Sequence, residues 1–274
     1  MEGKARARTI GETTEDARSG DCSLAELCIV AAAEAWRGDG EILASGLGLV
    51  PRLAAGLARL TFSPDLLLTD GEAMLVSEPV PVGPRNDYQP RVEGWMPFRK
   101  VFDVVWSGRR HAMTMPTQID RFGATNISLI GDPAKPKVQL LGVRGIPGNT
   151  INHPCSFFVP NHTPRAFVER VDMASGVGYD PERWPPGVRA DFRELRLVVT
   201  NLAVLDFLGS RNAMRIRSLH PGVTVDQVRA ETSFKLAIAE DLRETRPPTA
   251  DELRIIRTVL DPHDLRAGVF GTAG

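Results

Sequence analysis

The sequence carries no excess of either charge: 33 basic residues against 34 acidic ones leave a formal net charge of −1. Nucleic-acid binders usually gather a basic surplus, so that class is set aside, while a local basic patch for a phosphate-bearing ligand stays open. Cysteine is scarce. Cys22, Cys28 and Cys155 are an odd number without C-x-x-C spacing. That excludes a disulfide scaffold and a zinc ribbon, and it fits reduced thiols in a cytoplasmic protein. No apolar run approaches membrane-spanning length, and the first twenty residues lack the apolar core of a signal peptide, so neither a membrane span nor secretion is expected. The five histidines form no H-x-H or H-E-x-x-H arrangement. His153, Cys155 and His162 lie near one another in sequence but lack a plausible fourth ligand, so no metal is expected. There is no P-loop, no dinucleotide fingerprint, no internal repeat and no low-complexity tract.

What is present is an ordinary globular composition, 42% hydrophobic and 24% charged, in 274 residues, enough to bury a large core. Residues 1–20 lack hydrophobic periodicity and read as a flexible tail, leaving residues 21–274 as one α/β domain. Ser23-Leu-Ala-Glu26 is a capping box opening an Ala-rich helix that runs through Trp36. A short strand at 41–44, a glycine-rich turn at 45–50 and a helix from Pro51 to Leu60 follow. The apolar run at 65–69 reads as a buried parallel strand. Residues 77–97, rich in proline, read as a long irregular loop, and such loops inside compact domains are often functional. A helix is expected at 98–106. Strands are expected at 110–115, 137–143, 166–171, 193–200 and 215–219, helices at 226–230 and 250–260, and a connecting loop at 181–190. This alternation predicts an α/β fold with an open, mostly parallel sheet and flanking helices.

Ligands in such sheets bind on the loops beyond the carboxyl ends of strands. Thr69-Asp-Gly-Glu72 puts two carboxylates, Asp70 and Glu72, on either side of a glycine at one such rim. Close carboxylates repel, which suits one of them to proton transfer, although a plain turn is the commoner use of these residues. Thr117-Gln-Ile-Asp-Arg-Phe-Gly-Ala-Thr-Asn126 offers Gln118 and Asn126 to orient an acyl oxygen, or else a β-turn in which Asp120 and Asn126 bond only their own backbone. Gly142-Val-Arg-Gly-Ile-Pro-Gly-Asn149 frees backbone N–H groups to hold an oxyanion or phosphate, with Arg144 adding charge and Gly142, Gly145 and Asn149 lining the loop. Arg109-Arg-His111 is either a solvated strand start or a partner for a phosphate.

In order along the chain, these clusters resemble the β subunit of family I CoA transferases. In that family a strand ends in Ser-Glu-Asn-Gly, whose glutamate attacks the thioester; Asp65-Leu-Leu-Leu-Thr-Asp-Gly-Glu72 is the similar stretch. Ile119-Asp-Arg-Phe-Gly-Ala-Thr-Asn126 resembles the family's Val-Asp-x-x-Gly-Asn-x-Asn. Gly142-Val-Arg-Gly145 resembles its Gly-x-Gly-Gly loop, and His220-Pro-Gly-Val-Thr224 with Val228 and Thr232 its carboxy-terminal pattern. The runs Leu60 to Ala73, Glu93 to Phe98, Gly145 to His153 and Val171 to Asp180 are similar to a hydrolytic, steroid-ring-degrading branch of the family.

The resemblance implies one member of a hetero-assembly, acting on an acyl-CoA thioester together with a different α subunit, as an α2β2 heterotetramer. CoA is then part of the substrate, and no separate cofactor is implied. Asp70 takes the position of the nucleophilic glutamate but is one methylene shorter, a retreat of roughly 1.5 Å, and a misplacement near 1 Å can cost about a hundredfold in rate. Arg144 stands for a family glycine, and Ala124 for a family asparagine. These departures favour hydrolytic, retro-Claisen opening of a steroid-derived ring over CoA transfer between carboxylic acids. A non-catalytic scaffold is the third alternative. Under the hydrolytic reading Asp70, Glu72 and Arg144 are the catalytic candidates, with the principal base on the α subunit, and Gln118, Asn126, Gly142, Gly145 and Asn149 bind the substrate.

Overall fold

Capping chemistry starts the first helix. In the computed structural model, which describes residues 22–188 and 193–271, the Ser23 side chain accepts from the Glu26 N–H while the Glu26 carboxylate accepts from the Ser23 N–H. The expected tail at 1–20 lies outside the described residues. Helix α1 (Leu24–Ala33) continues through a 3-10 turn to Trp36, as the sequence predicts. Strand β1 (Leu43–Gly46) sits two residues later than expected, and helix α2 (Leu49–Leu60) follows.

The run at 65–69 departs from expectation. Leu67 makes one parallel bridge to Leu43, and the chain then leaves the main sheet. It becomes β2 (Leu68–Asp70), antiparallel to β3 (Met74–Val76), which pairs with β4 (Val92–Trp95). An apolar run looks the same in sequence whether it ends in a central strand or in a hairpin packed on one; here the Thr69-Asp-Gly-Glu72 turn reverses the chain. The segment 77–97, expected as a loop, accordingly contains a strand.

Helix α3 (Phe98–Trp106) and strand β5 (Arg110–Thr114) match the sequence reading. Next come β6 (Gln118–Asp120), β7 (Thr125–Asn126), β8 (Leu129–Asp132) and β9 (Lys135–Gln139). The strand expected at 137–143 is thus an exposed hairpin arm at 135–139, paired only with β8. Helix α4 (Ile146–Asn152) leads into β10 (Cys155–Val159), a central strand that the sequence reading misses. The expected strand at 166–171 shrinks to β11 (Phe167–Val168). Strand β12 (Leu195–Thr200) falls within its predicted range, whereas β13 (Ala203–Asp206) has no counterpart in the sequence reading. Strand β14 (Arg215–Leu219) and helix α5 (Val225–Ala230) agree; β15 (Ala237–Glu244) is a further strand that the reading misses. Helix α6 (Ala250–Arg254) passes into a π-helical turn, Ile255–Leu260.

The main sheet runs β1-β5-β10-β12-β13-β14-β15. Its first four strands are parallel, β13 alone runs antiparallel to its neighbours β12 and β14, and β15 is parallel to β14. The expected mostly parallel α/β sheet is the one observed. Both faces are buried, and adjacent residues divide between them because side chains alternate along a strand. Phe158, Val199 and Val204 join a core with Ile29, Leu53 and Leu57 of α1 and α2, while Phe157, Val198 and Leu205 join a second core with Ile119 and Phe167 of the small β11-β6-β7 sheet. The edge strand β15 breaks register between its pairings at Ile238 and Arg243 and is largely exposed and charged, features that discourage further strand addition.

Candidate functional site

At the end of β1 the backbone approaches itself too closely for any side chain. A Cβ on Gly46 would lie 2.3 Å from the Pro51 carbonyl oxygen, and one on Gly48, at φ +126°, would lie 2.2 Å from the Met115 sulfur. This turn brings the start of α2 against the rim of the sheet. Ser45, Gly46, Leu47, Arg52, Thr69, Gly71 and Glu72 there enclose part of a cavity of about 200 Å³.

The β2–β3 turn carries both predicted carboxylates to this region, yet they do not act on each other. The half-buried Asp70 accepts from Arg85 Nη2 at 2.5 Å and lies 3.6 Å from Arg52. Glu72 is exposed and faces Arg110, Oε2 to Nη2, at 3.7 Å. Each acid therefore has its own cation in place of the mutual repulsion that the spacing implied.

Arg110 is the residue that sequence reading underrates. It is only 4% exposed, donates from Nε to Ser45 Oγ at 2.8 Å, and burial pulls its pKa down. Its distance to Glu72 exceeds hydrogen-bond length, so this buried guanidinium is incompletely neutralised. Strand alternation held the signal: Arg109 is exposed and faces Glu41, Arg110 turns in toward Ser45, and His111 enters the opposite core beside Trp36. The neighbouring His153 is buried, and desolvation, with the Arg110 charge as a lesser cause, lowers its pKa to about 4.

The glycine loop lies at the surface of this chain. Gly142 (φ +82°) and Arg144 (φ +51°) take left-handed backbone, Gly145 caps α4, and Arg144 and Gly145 are exposed. Added Cβ atoms on Gly142 or Gly145 would meet nothing within 4 Å. Asn149 turns inward within α4, its carboxamide 3.2 Å from His153 Nε2. Among the described residues no hydrogen bond or ion pair joins Arg144 or Asn126 to Asp70 or Glu72.

Gln118 and Asn126 lie opposite each other across β6 and β7, both buried. Asn126 Nδ2 donates to Gln118 Oε1 and to the Leu129 carbonyl, each at 2.7 Å, and its Oδ1 accepts from the Ser128 N–H. Gln118 in turn donates to Asp172 at 3.2 Å and accepts from the Asp172 N–H. Within this chain both amides are hydrogen-bonded to neighbouring groups of the fold. Asp120 likewise accepts from the Phe122 and Ala124 N–H groups and from Arg183.

One constellation imitates a catalytic triad. His111 lies 2.9 Å from both Asp39 Oδ2 and Ser156 Oγ. Ser156 and His111 have no exposed surface, so no acyl group can reach the hydroxyl, and Arg196 braces Asp39 at 2.8 Å. This network ties β5 to β10 and to the segment before β1. His162, close to His153 and Cys155 in sequence, instead bonds Thr200 and Thr232 and stacks on Phe167 at 3.8 Å.

No family model matches the chain. It is 52% identical over 245 residues to the cholesterol ring-cleaving hydrolase IpdB subunit of Rhodococcus jostii (strain RHA1), covering 88% of this chain and 94% of that one. It is 48% identical over 242 residues to the protein of the same description from Mycobacterium tuberculosis (strain ATCC 25618 / H37Rv), covering 88% and 96%. At 31% identity over 254 residues it also matches one of the subunits of the 3-oxoadipate CoA-transferase of Pseudomonas knackmussii, covering 85% and 92%. Among solved structures, Rhodococcus jostii RHA1 IpdAB matches at a TM-score of 0.85 and 49% identity, over 92% of this chain and 100% of that one. Glutaconate coenzyme A-transferase from Acidaminococcus fermentans shares the fold at a TM-score of 0.77 and 21% identity, covering 92% and 98%.

Proposed function

The chain belongs to the family of IpdB subunits of cholesterol ring-cleaving hydrolases, and from that membership we propose that it is the β subunit of a cytoplasmic hydrolase opening a steroid-derived ring in a CoA thioester. The observation that carries this reading is similarity along nearly the whole chain to subunits of that description. The partner is an α subunit, in an α2β2 assembly.

In such a reaction water adds to a ring ketone placed β to a second carbonyl. The carbon–carbon bond breaks, its electron pair passes to an enolate, and the enolate takes up a proton while the ketone carbon becomes a carboxylate. The developing oxyanion needs fixed donors or a cation in a site sheltered from water. Arg110, aimed by Ser45 and incompletely neutralised by Glu72, fits that need better than the exposed Arg144. Glu72, which lines the cavity at the end of β1 and faces Arg110, is placed to hold a water or the Arg110 charge, and the principal base comes from the α subunit. Asp70 is engaged by Arg85 and Arg52, which disfavours it as a transferase nucleophile.

Reaction of the assembled enzyme in ¹⁸O-labelled water with a ring-bearing CoA ester tests the proposal. One solvent oxygen in the new carboxylate of a ring-opened product is expected. Ring opening without label ends the hydrolytic reading, and CoA exchange through an acyl-enzyme trapped on Asp70 or Glu72 replaces it with transfer.

A further inference from the structure

Charge is balanced over the whole chain, at a net −1, so a place where one sign collects alone stands out. Such a place lies where the β6–β7 turn meets the loop before β14 and the start of β15. Arg121, Phe122, Arg211, Met214, Lys235 and Ala237 line a cavity of about 300 Å³ there, and no carboxylate joins its three cations. Among the described residues no hydrogen bond or ion pair engages the side chain of Arg121, Arg211 or Lys235, and Arg121 Nε is buried without a partner. Asp120, beside Arg121, is committed to Arg183 at 2.9 Å, and Asp206, ahead of the loop, to Arg215 at 2.7 Å. Glu240 and Asp241, further along β15, do not line the cavity.

The backbone holds these cations in place. The Met214 N–H donates to the Arg121 carbonyl at 2.8 Å, which ties the loop to the turn. Gly209 closes that loop on Ala213, N–H to carbonyl at 3.0 Å, so tightly that a Cβ on Gly209 would lie 2.4 Å from the same oxygen. At its tip Arg211 and Asn212 both take left-handed backbone, φ +58° and +59°, which residues with side chains rarely adopt. The Arg121 guanidinium lies over the Phe122 ring, 4.7 Å from its centroid. Guanidinium groups of fixed direction suit phosphate oxygens, and an apolar wall between them suits the organic part of a phosphate ester. The volume is at the lower end of the range for small-molecule sites.

The cavity stands at the opposite corner of the sheet from Arg110. It opens at the amino ends of β14 and β15, whereas the Ser45–Gly46 cavity is at the carboxyl end of β1. Five strand spacings separate β1 from β14, roughly 25 Å in all. A ligand here is therefore distinct from a thioester held beside Arg110.

We infer that this cavity binds a phosphate ester of the nucleotide class, with the phosphate between Arg121, Arg211 and Lys235 and the base against Phe122 and Met214. The inference stands apart from the hydrolytic reading, because anion binding at this corner does not depend on which reaction the other corner performs.

Isothermal titration with ADP, with adenosine and inorganic phosphate as comparisons, tests it on the full-length chain alone and in the assembled enzyme. Each form is measured as wild type and as Arg211→Gln/Lys235→Gln. Wild type is expected to bind ADP at least tenfold more tightly than adenosine, and more weakly as salt rises. The double variant is expected to lose tenfold or more in ADP affinity while its thermal midpoint and ring-opening rate stay at wild-type values, because both altered side chains are exposed and far from Arg110. Adenosine binding equal to ADP binding overturns the inference, since charge would then play no part. Undiminished ADP binding by the variant also overturns it, by placing the nucleotide elsewhere. Binding of phosphate but not ADP confines the cavity to the free ion and refutes the nucleotide class. Binding by the isolated chain that vanishes in the assembled enzyme gives this surface to the partner subunit, and no ADP binding by either form ends the proposal.

Discussion

Arg110 and Arg144 are both arginines beside glycine-rich turns, and their surroundings separate them. Arg144 stands in solvent, while Arg110 is buried between Ser45 and Glu72 with its charge only partly offset. Removing a fixed charge-stabilising donor costs about a hundredfold or more in rate. Arg110→Met is therefore expected to lower kcat/KM of the assembled enzyme by about two orders of magnitude, and Arg144→Ala by less than threefold; equal effects in steady-state kinetics would contradict the assignment. Gly46 makes a second residue-scale prediction. A methyl group there meets backbone atoms of Pro51 and Arg52 at 2.3–2.5 Å, which cannot rotate away. Gly46→Ala should destabilise the chain by roughly 1–3 kcal/mol or more, read from the urea midpoint, and an unchanged midpoint would show that the turn can open.

Between elements, Glu26 links the first helix to the last turns. It is buried, completes the α1 capping box, and receives Arg257 at 2.7 Å and Arg266 at 3.0 Å. Burial pushes its carboxyl up, but the bonds from Arg257, the Ser23 N–H and Arg266 outweigh it and bring the pKa down to about 2. Stripping the charge from a buried, multiply bonded partner costs about 3–5 kcal/mol, so Glu26→Gln should lower the thermal midpoint by several degrees. Calorimetry showing no change would mean the cluster contributes nothing net. The elements also differ in how legible they are. Helix α3 can be read to the residue because Phe98, Phe102 and Trp106 repeat at helical spacing, and β14 because Arg215–Leu219 alternates in polarity. Strand β10 is a short apolar run between helix α4 and a proline, with no alternation to mark it. Strand β15 is masked by its charges and its register break.

The whole molecule holds four buried histidines, His111, His153, His162 and His220, all with pKa values lowered chiefly by burial, His153 to about 4 and His162 to about 3. Folded values below the ordinary 6.5 mean that the unfolded chain binds protons first as pH falls. Their stabilising contribution is complete above pH 6.5 and is lost toward pH 4; the depressed Glu26 adds a further loss only below about 4.5. The two histidines with the lowest values amount to several kcal/mol, comparable with the total stability of a domain. Urea midpoints should be level from pH 7 to 8 and fall steeply from pH 6.5 to 4, and a flat profile would refute neutral burial.

Local patterns in the chain set the class of fold, the capped helices and the order of glycine turns, because capping, helical spacing and turn chemistry act within a few residues. Packing in three dimensions chose which charges meet. Asp70 and Glu72 are two residues apart, yet each is drawn to a different arginine from a distant segment. Asn126 has the composition of a ligand and spends its amide on Gln118. Arg110 became the interesting cation only when β1, β5 and the β2–β3 turn converged on it. Desolvation and long-range ion pairing depend on which segments become neighbours, and a local pattern does not carry that information.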